Sequence, residues 1–162
     1  MPVLGVIPAR LGSTRLPRKP LQPLGGVPLV IRVAERVAGL GALDGLVIAT
    51  ESPEIAEVVS SAGFRAILTS DSHQTGTERV AEVAARAEFS GFDLIVNVQG
   101  DEPFVPREAV TGAIARVRGG DDVGSAAAPL SAQDAGDPAR VKVVCDAAGR
   151  ALYFSRAAIP HV

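Results

Sequence analysis

Short apolar, β-branched runs alternate with helix-patterned stretches along this chain, and that alternation is what most restricts its fold. VLGVIPA (3–9), LVIAT (46–50), RAILT (65–69) and DLIVNV (93–98) read as strands. The first is nearly all apolar, as a strand covered on both faces should be. DLIVNV is the most hydrophobic and is expected at the centre of the sheet. Between these runs, Val30, Val33, Ala34 and Val37 share one helical stripe over 28–40, with Pro28 suited to the first turn. Ser52, Pro53 and Glu54 open a second helix as N-cap, N1 and first-turn acid. Ile55, Val58, Val59 and Ala62 form its stripe, and Gly63 suits its C-cap. A third helix starts near Thr77, where Thr75 and Glu78 have capping-box spacing, and buries Val80, Val83, Ala84 and Ala87. A fourth covers about 106–118, with Val110, Ala113, Ile114 and Val117 inward. GSAAAPL is a weaker strand, and VKVVCDAAGRALYFS reads as two strands around a turn at Ala147-Ala148-Gly149.

Strand–helix alternation implies an α/β fold of three layers: a mostly parallel sheet with helices on both faces, here followed by a C-terminal β-hairpin. Crossovers should be right-handed, and ligands should bind at the carboxyl ends of the strands. The length of 162 residues suits a single domain over 1–162. The chain stops just after the hairpin at SRAAIPHV with no terminal helix, so a longer polypeptide is expected.

Composition excludes several classes. At 47% hydrophobic and 21% charged the chain is globular. No apolar run approaches the ~20 residues of a spanning helix, and the start lacks a signal peptide's order of regions. A lone cysteine, Cys145, rules out an internal disulfide framework and fits a reducing cytosol; at the end of a strand-like run it reads as a small packed residue. A net charge of -2 and pI near 5.7 argue against a nucleic-acid partner.

Against that acidic background, Arg10, Arg15, Arg18 and Lys19 crowd one Gly- and Pro-containing loop, and no acid follows until Glu35. The loop leaves the carboxyl end of the first strand. The backbone N–H groups of Gly12, Ser13 and Thr14 can approach a phosphate closely, and arginine and lysine supply charge. A polyanion such as a triphosphate is the functional reading, and a solvated basic loop the bland one. The pattern is neither a Walker A motif nor a dinucleotide fingerprint. Asp101 and Glu102 stand just past DLIVNV beside this loop, where a Mg²⁺ ligand belongs; Asp101 is the first candidate, Glu102 the second or a turn cap. SDSHQTGTER (70–79) enters a helix, whose N-terminus attracts anions and whose turn amides can read a base edge, unless it is a plain capped helix start. His73 reads as a surface loop residue. Tyr153, Ser155 and Arg156 offer hydroxyls and a carboxylate clamp, or an exposed edge strand. No Ser/His/Asp nucleophile set is apparent, which suits direct in-line displacement.

IPARLGSTRLPRKPL, HQTGTERVAEV, VNVQGDEPFV and RVKVVCDAAGRALYFSRAAIP, in this order, resemble the 3-deoxy-manno-octulosonate (Kdo) cytidylyltransferases, also called CMP-Kdo synthetases. The likeness runs from about residue 3 to 161. Sialic-acid cytidylyltransferases share the start but diverge after PAR. The resemblance implies the fold of nucleotide-diphospho-sugar transferases and transfer of CMP from CTP to the 2-hydroxyl of Kdo, releasing diphosphate with Mg²⁺. That reaction belongs to lipopolysaccharide synthesis in the cytoplasm, and the full-length form would be a homodimer. It implies that Pro8, Ala9, Arg10, Gly12, Ser13, Arg15 and Lys19 form the triphosphate site, and that Thr75, Gly76, Thr77 and Arg79 hold cytosine and ribose. Asp101 would bind the metal, with Arg10 and Lys19 also catalytic. Gln99, Tyr153 and Arg156 would meet the sugar, Arg156 at its carboxylate. Family members are longer, and their later segment supplies a second metal-binding aspartate, further sugar ligands and much of the dimer contact. The alternatives are a cytidylyltransferase for another sugar acid or for a methylated alcohol phosphate, and a non-catalytic nucleotide-binding remnant.

Overall fold

Strand β1 (Val3–Pro8) is buried at every position and pairs along both edges. The computed structural model, which describes residues 1–12 and 16–160, surrounds it with β4 (Gly45–Thr50) on one side and β6 (Leu94–Asn97) on the other. β5 (Ala66–Leu68) pairs with the outer edge of β4, and all four strands run parallel in the order β5-β4-β1-β6. Chain order reverses between β1 and β6. Two further short strands, β2 (Pro23–Leu24) and β3 (Val27–Pro28), form a hairpin. Its turn residues Gly25 and Gly26 have φ of 60° and 80°, the backbone such a tight turn demands.

Helices α1 (Leu29–Ala38), α2 (Pro53–Ser61), α3 (Gly76–Ala84) and α4 (Arg107–Arg118) cover the sheet. Alternation along β1 divides the core. Ile7 packs with Val30, Val33, Val37, Ile55 and Val59 of α1 and α2. Val3, on the same face, packs with Leu94 and with Val110 and Ile114 of α4. Leu4 and Val6 pack with Ile67, Phe89 and the α3 residues Val80 and Val83. A right-handed crossover that reverses direction carries its helix to the opposite face, which is why α3 lies across the sheet from α1 and α2.

Several expectations need correction. DLIVNV is not central: β6 pairs with β1 alone among the described strands, and Ile95 and Val96 are half-buried. An apolar strand composition records cover by helices on its faces; it does not count neighbours at its edges. Pro28 is the N-cap of α1 and sits in β3, one residue before the helix. Ala62 and Ala87 are exposed. α3 ends at Ala84, and Phe89 of the following 3-10 turn, 2% exposed, fills the place expected for Ala87. The stretch 124–130 has no regular structure, consistent with three alanines of low strand propensity and a proline lacking a donor.

The chain divides into two compact units, Met1–Gly124 and Ser125–Val162. In the second, β7 (Lys142–Cys145) pairs antiparallel with β8 (Ala151–Ser155). Its turn is built by Asp146, whose Oδ1 accepts the N–H of Ala148 and Arg150 at 2.9 and 2.8 Å, with Gly149 at φ 76°. Cys145 is exposed and not packed as expected, and Leu152, Tyr153 and Phe154 of β8 are exposed as well. No helix among the described residues is long and apolar enough to cross a membrane.

Candidate functional site

A cavity of about 640 Å³ opens where β1 and β6 end. Pro8, Ala9, Arg10, Lys19, Gly76, Arg79, Gln99 and Asp101 line it, with Leu16, Pro20 and Gly100. It lies at the carboxyl ends of the strands, beside the point where chain order reverses, as ligand sites in such sheets do.

The wall from the first loop begins at Ala9, whose N–H donates to Ala49 O at 2.9 Å and carries β1 pairing one residue further. Arg10 is exposed, and its Nη1 donates to Gln74 O at 3.2 Å. Gly12 is exposed, and an added Cβ there would meet nothing within 4 Å. Ser13, Thr14 and Arg15 lie outside the described residues. Arg18 adopts a left-handed backbone with φ 55°, which starts a 3-10 turn over Lys19–Leu21. Its guanidinium pairs with Glu54 in the first turn of α2. Lys19 Nζ lies 2.5 Å from Asp101 Oδ2. The loop's cations, without acids near them in sequence, thus find two carboxylates in the fold.

Gly100 explains how Asp101 reaches Lys19. A Cβ on Gly100 would sit 2.6 Å from Pro8 O, so only glycine lets the chain after β6 press against the end of β1. Val98 N–H donates to Val6 O just before this point, and Glu102 N–H closes a turn on Gln99 O at 3.2 Å. The Gln99 side chain donates to Asn97 Oδ1 at 3.3 Å.

The opposite wall is the start of α3. Thr75 Oγ1 accepts the Glu78 N–H at 3.2 Å, and Glu78 Oε2 accepts those of Thr75 and Gln74 at 3.1 and 2.6 Å. These backbone donors, Gln74 before Thr75, hold the Glu78 carboxyl below its usual range. Gly76 abuts Pro8: a Cβ there would lie 3.1 Å from Pro8 Cγ. The capping box uses the N–H of Gln74, Thr75 and Glu78, and not those of Gly76 and Thr77. Arg79 is buried, 3% exposed; Nη1 donates to Thr69 Oγ1 and to Ser70 O, and Nη2 faces Glu51. His73, expected on the surface, is half-buried, with Nε2 2.6 Å from Glu82 Oε2. Glu82 also accepts from Arg86 at 2.7 Å and from the Ser70 N–H at 2.9 Å. The Arg86 hydrogen bond foremost, then those of Ser70 and His73, bring its carboxyl down to about 2.

Tyr153 and Arg156 belong to the second unit. Tyr153 is exposed on β8 opposite Val144. Arg156 Nη1 donates to the carbonyls of Pro138 and Ala139 at 2.9 and 3.3 Å. The buried Lys142 Nζ donates to the carbonyl of Arg156 and to those of Asp137 and Arg140. Cavity and α3 start therefore assemble Pro8, Ala9, Arg10, Lys19, Thr75, Gly76, Thr77, Arg79, Gln99 and Asp101, while Tyr153 and Arg156 are fixed by their own unit's contacts.

Glu51 and Lys142 make contacts that the sequence motifs do not reveal. Glu51 still carries a signal in the sequence: it is an acid at the carboxyl end of a buried parallel strand, the same end of the sheet where Asp101 stands.

A sequence profile described as cytidylyltransferase matches residues 4–162. The chain belongs to the cytidylyltransferase family. Among members of this family's kind, it is 57% identical over its whole length to a protein of Gemmatimonas aurantiaca named 3-deoxy-manno-octulosonate cytidylyltransferase, covering 63% of it. It is 48% identical to the protein of the same name from Yersinia enterocolitica, over 99% of this chain and 64% of that one. The solved structure of a CMP:2-keto-3-deoxy-manno-octonic acid synthetase complexed with CTP superimposes with a TM-score of 0.88 at 36% identity, over 99% of this chain and 66% of that one. The chain thus spans a little under two thirds of the length of these relatives.

Proposed function

We propose that this cytidylyltransferase activates Kdo: the 2-hydroxyl oxygen of the sugar acid bonds to the α-phosphorus of CTP. The bond from that phosphorus to the bridging oxygen breaks, diphosphate leaves with that oxygen, and the hydroxyl proton is released. The observation that carries the reading is a cavity at the sheet's reversal point bearing Arg10 and Lys19, with the carboxylate of Asp101 on its rim. The names of the relatives at 48–57% identity supply the substrate class.

Arg10 and Lys19 hold the triphosphate, the arginine as a planar fork and the lysine as a mobile point charge. Gly12, Ser13 and Arg15 continue that loop and are assigned the same task. Gly76 and Thr77 present first-turn amides to the nucleoside, where a helix N-terminus favours acceptor atoms. Magnesium keeps several waters and takes one or two protein carboxylates, so Asp101 fits it without a larger acidic cluster. When bound, it neutralises charge on the phosphates. Gln99 lies on the same rim as Asp101 and is assigned to the sugar. Holding nucleophile and phosphorus in line supplies most of the rate. The reaction draws on CTP in the cytoplasm and serves lipopolysaccharide synthesis.

Calorimetry with CTP and Mg²⁺, followed by a coupled diphosphate assay with CTP and Kdo, tests this. The expected result is CTP binding and Kdo-dependent diphosphate release. Release with N-acetylneuraminate in place of Kdo would reassign the sugar, and absence of CTP binding would overturn the reading.

A further inference from the structure

Glu51 stands at the carboxyl end of β4, next after the buried Thr50. Thr50 Oγ1 accepts the Ser52 N–H at 3.1 Å, and Ser52 caps α2, so the backbone on either side of Glu51 is fixed. Its carboxylate serves two elements. Oε1 accepts the Leu11 N–H at 3.1 Å, where the first loop begins. Oε2 lies 2.8 Å from Arg79 Nη2 as an ion pair without hydrogen-bond alignment. Arg79, 3% exposed, is itself anchored to Thr69 and Ser70.

Among the described residues, the exposed Arg10–Gln74 bond and the packing of Gly76 on Pro8, the last residue of β1, also join this wall to the start of α3. Exposed polar contacts are weak and yield to solvent. A shielded carboxylate opposite a buried guanidinium does not yield, because separating them leaves a desolvated charge without its partner.

We propose that Glu51 is a positioning residue that sets the spacing between the phosphate-holding wall and the nucleoside-holding wall of the cavity. This rests on the CTP reading above. A ligand that spans two subsites gains the full benefit of both only when their separation matches its own length. Glu51 touches the backbone of one wall and the buried cation of the other, so its length and charge fix that separation.

Glu51→Asp keeps the charge but is one methylene shorter and cannot reach both partners. Glu51→Gln keeps the length and an acceptor for Leu11 but removes the charge opposite Arg79. Calorimetry with Mg²⁺ would measure CTP and inorganic triphosphate, saturation-transfer NMR would measure cytidine, and thermal melts would confirm folding. The expected result for Glu51→Asp is CTP affinity lower by about tenfold or more, with the affinities for triphosphate and cytidine each within about threefold of wild type. Glu51→Gln should follow the same pattern; if it does not fold, the Asp variant decides. Unchanged CTP affinity in a folded variant would overturn the proposal, as would parallel loss of all three ligands, which marks a general structural role. Failure of the wild-type chain to bind CTP would instead overturn the nucleotide reading, and this spacing role with it.

Discussion

Lys19 and Asp101 meet at 2.5 Å across 82 residues of sequence, the first on the loop after β1 and the second past β6. Each is half or partly exposed, so the contact exchanges readily with solvent and ligand. The ion pair places the cation proposed for phosphate against the carboxylate proposed for metal.

Replacing Lys19 by alanine removes a charge-assisted phosphate contact. CTP affinity should fall by about 1.5–3 kcal/mol, roughly a 10- to 150-fold rise in Kd. Calorimetry at low and high salt checks it, and the wild type should lose more affinity than the variant as salt screens the missing contact. An unchanged Kd would remove Lys19 from the site.

Asp101→Asn separates metal from nucleotide. The amide keeps the shape but not the charge that holds a hard cation, so Mg²⁺-dependent diphosphate release should vanish. Metal-free CTP binding should hold or tighten, because Lys19 no longer faces a carboxylate. Normal turnover with Mg²⁺ would transfer the metal role to Glu102.

Gly100→Ala puts a Cβ 2.6 Å from Pro8 O, which is backbone and cannot swing away. The strand ends must part, at a cost of about 1–3 kcal/mol typical of overpacking. A lower Tm together with weaker CTP binding is the expected outcome; a wild-type Tm would show that the two strand ends separate without cost.

Acid should loosen the stretch before α3. The Glu82 carboxyl ionises at about 2 in the folded chain against 4.5 for the free group, through Arg86, Ser70 and His73. Its folded pKa is the lower one, so the stability it contributes is present above about pH 4.5 and is lost as pH falls toward 2. Glu82→Gln should flatten the stability profile across that window. Denaturant titrations at several pH values read the difference.

Much of this was legible because it is local. Ser52 caps α2, and Thr75 with Glu78 builds a capping box, because both depend on hydrogen bonds three residues apart. The strand ends bearing Arg10 and Asp101 could be placed from the alternation of elements alone. What escaped depends on strand order. Glu51 reaches Leu11 only because β4 lies beside β1, and the buried Arg79 meets Glu51, Thr69 and Ser70 from elements distant in sequence. Composition cannot report adjacency, and for the same reason DLIVNV looked central. The β2–β3 hairpin was missed although Gly25-Gly26 announces its turn, because strands of two residues carry no periodicity.

β1 is hydrogen-bonded along both edges and covered on both faces, so its amide protons should exchange with deuterium only when the whole first unit unfolds. The stretch from Pro17 to Gln22 is held by a few turn contacts and exposed ion pairs, and its amides should exchange through much smaller openings. The cavity therefore joins a slow-exchanging floor to a fast-exchanging cationic rim. A bound triphosphate would show itself chiefly as new protection in that rim, while the protection of Val6 and Ile7 would rise only with the stability of the unit as a whole.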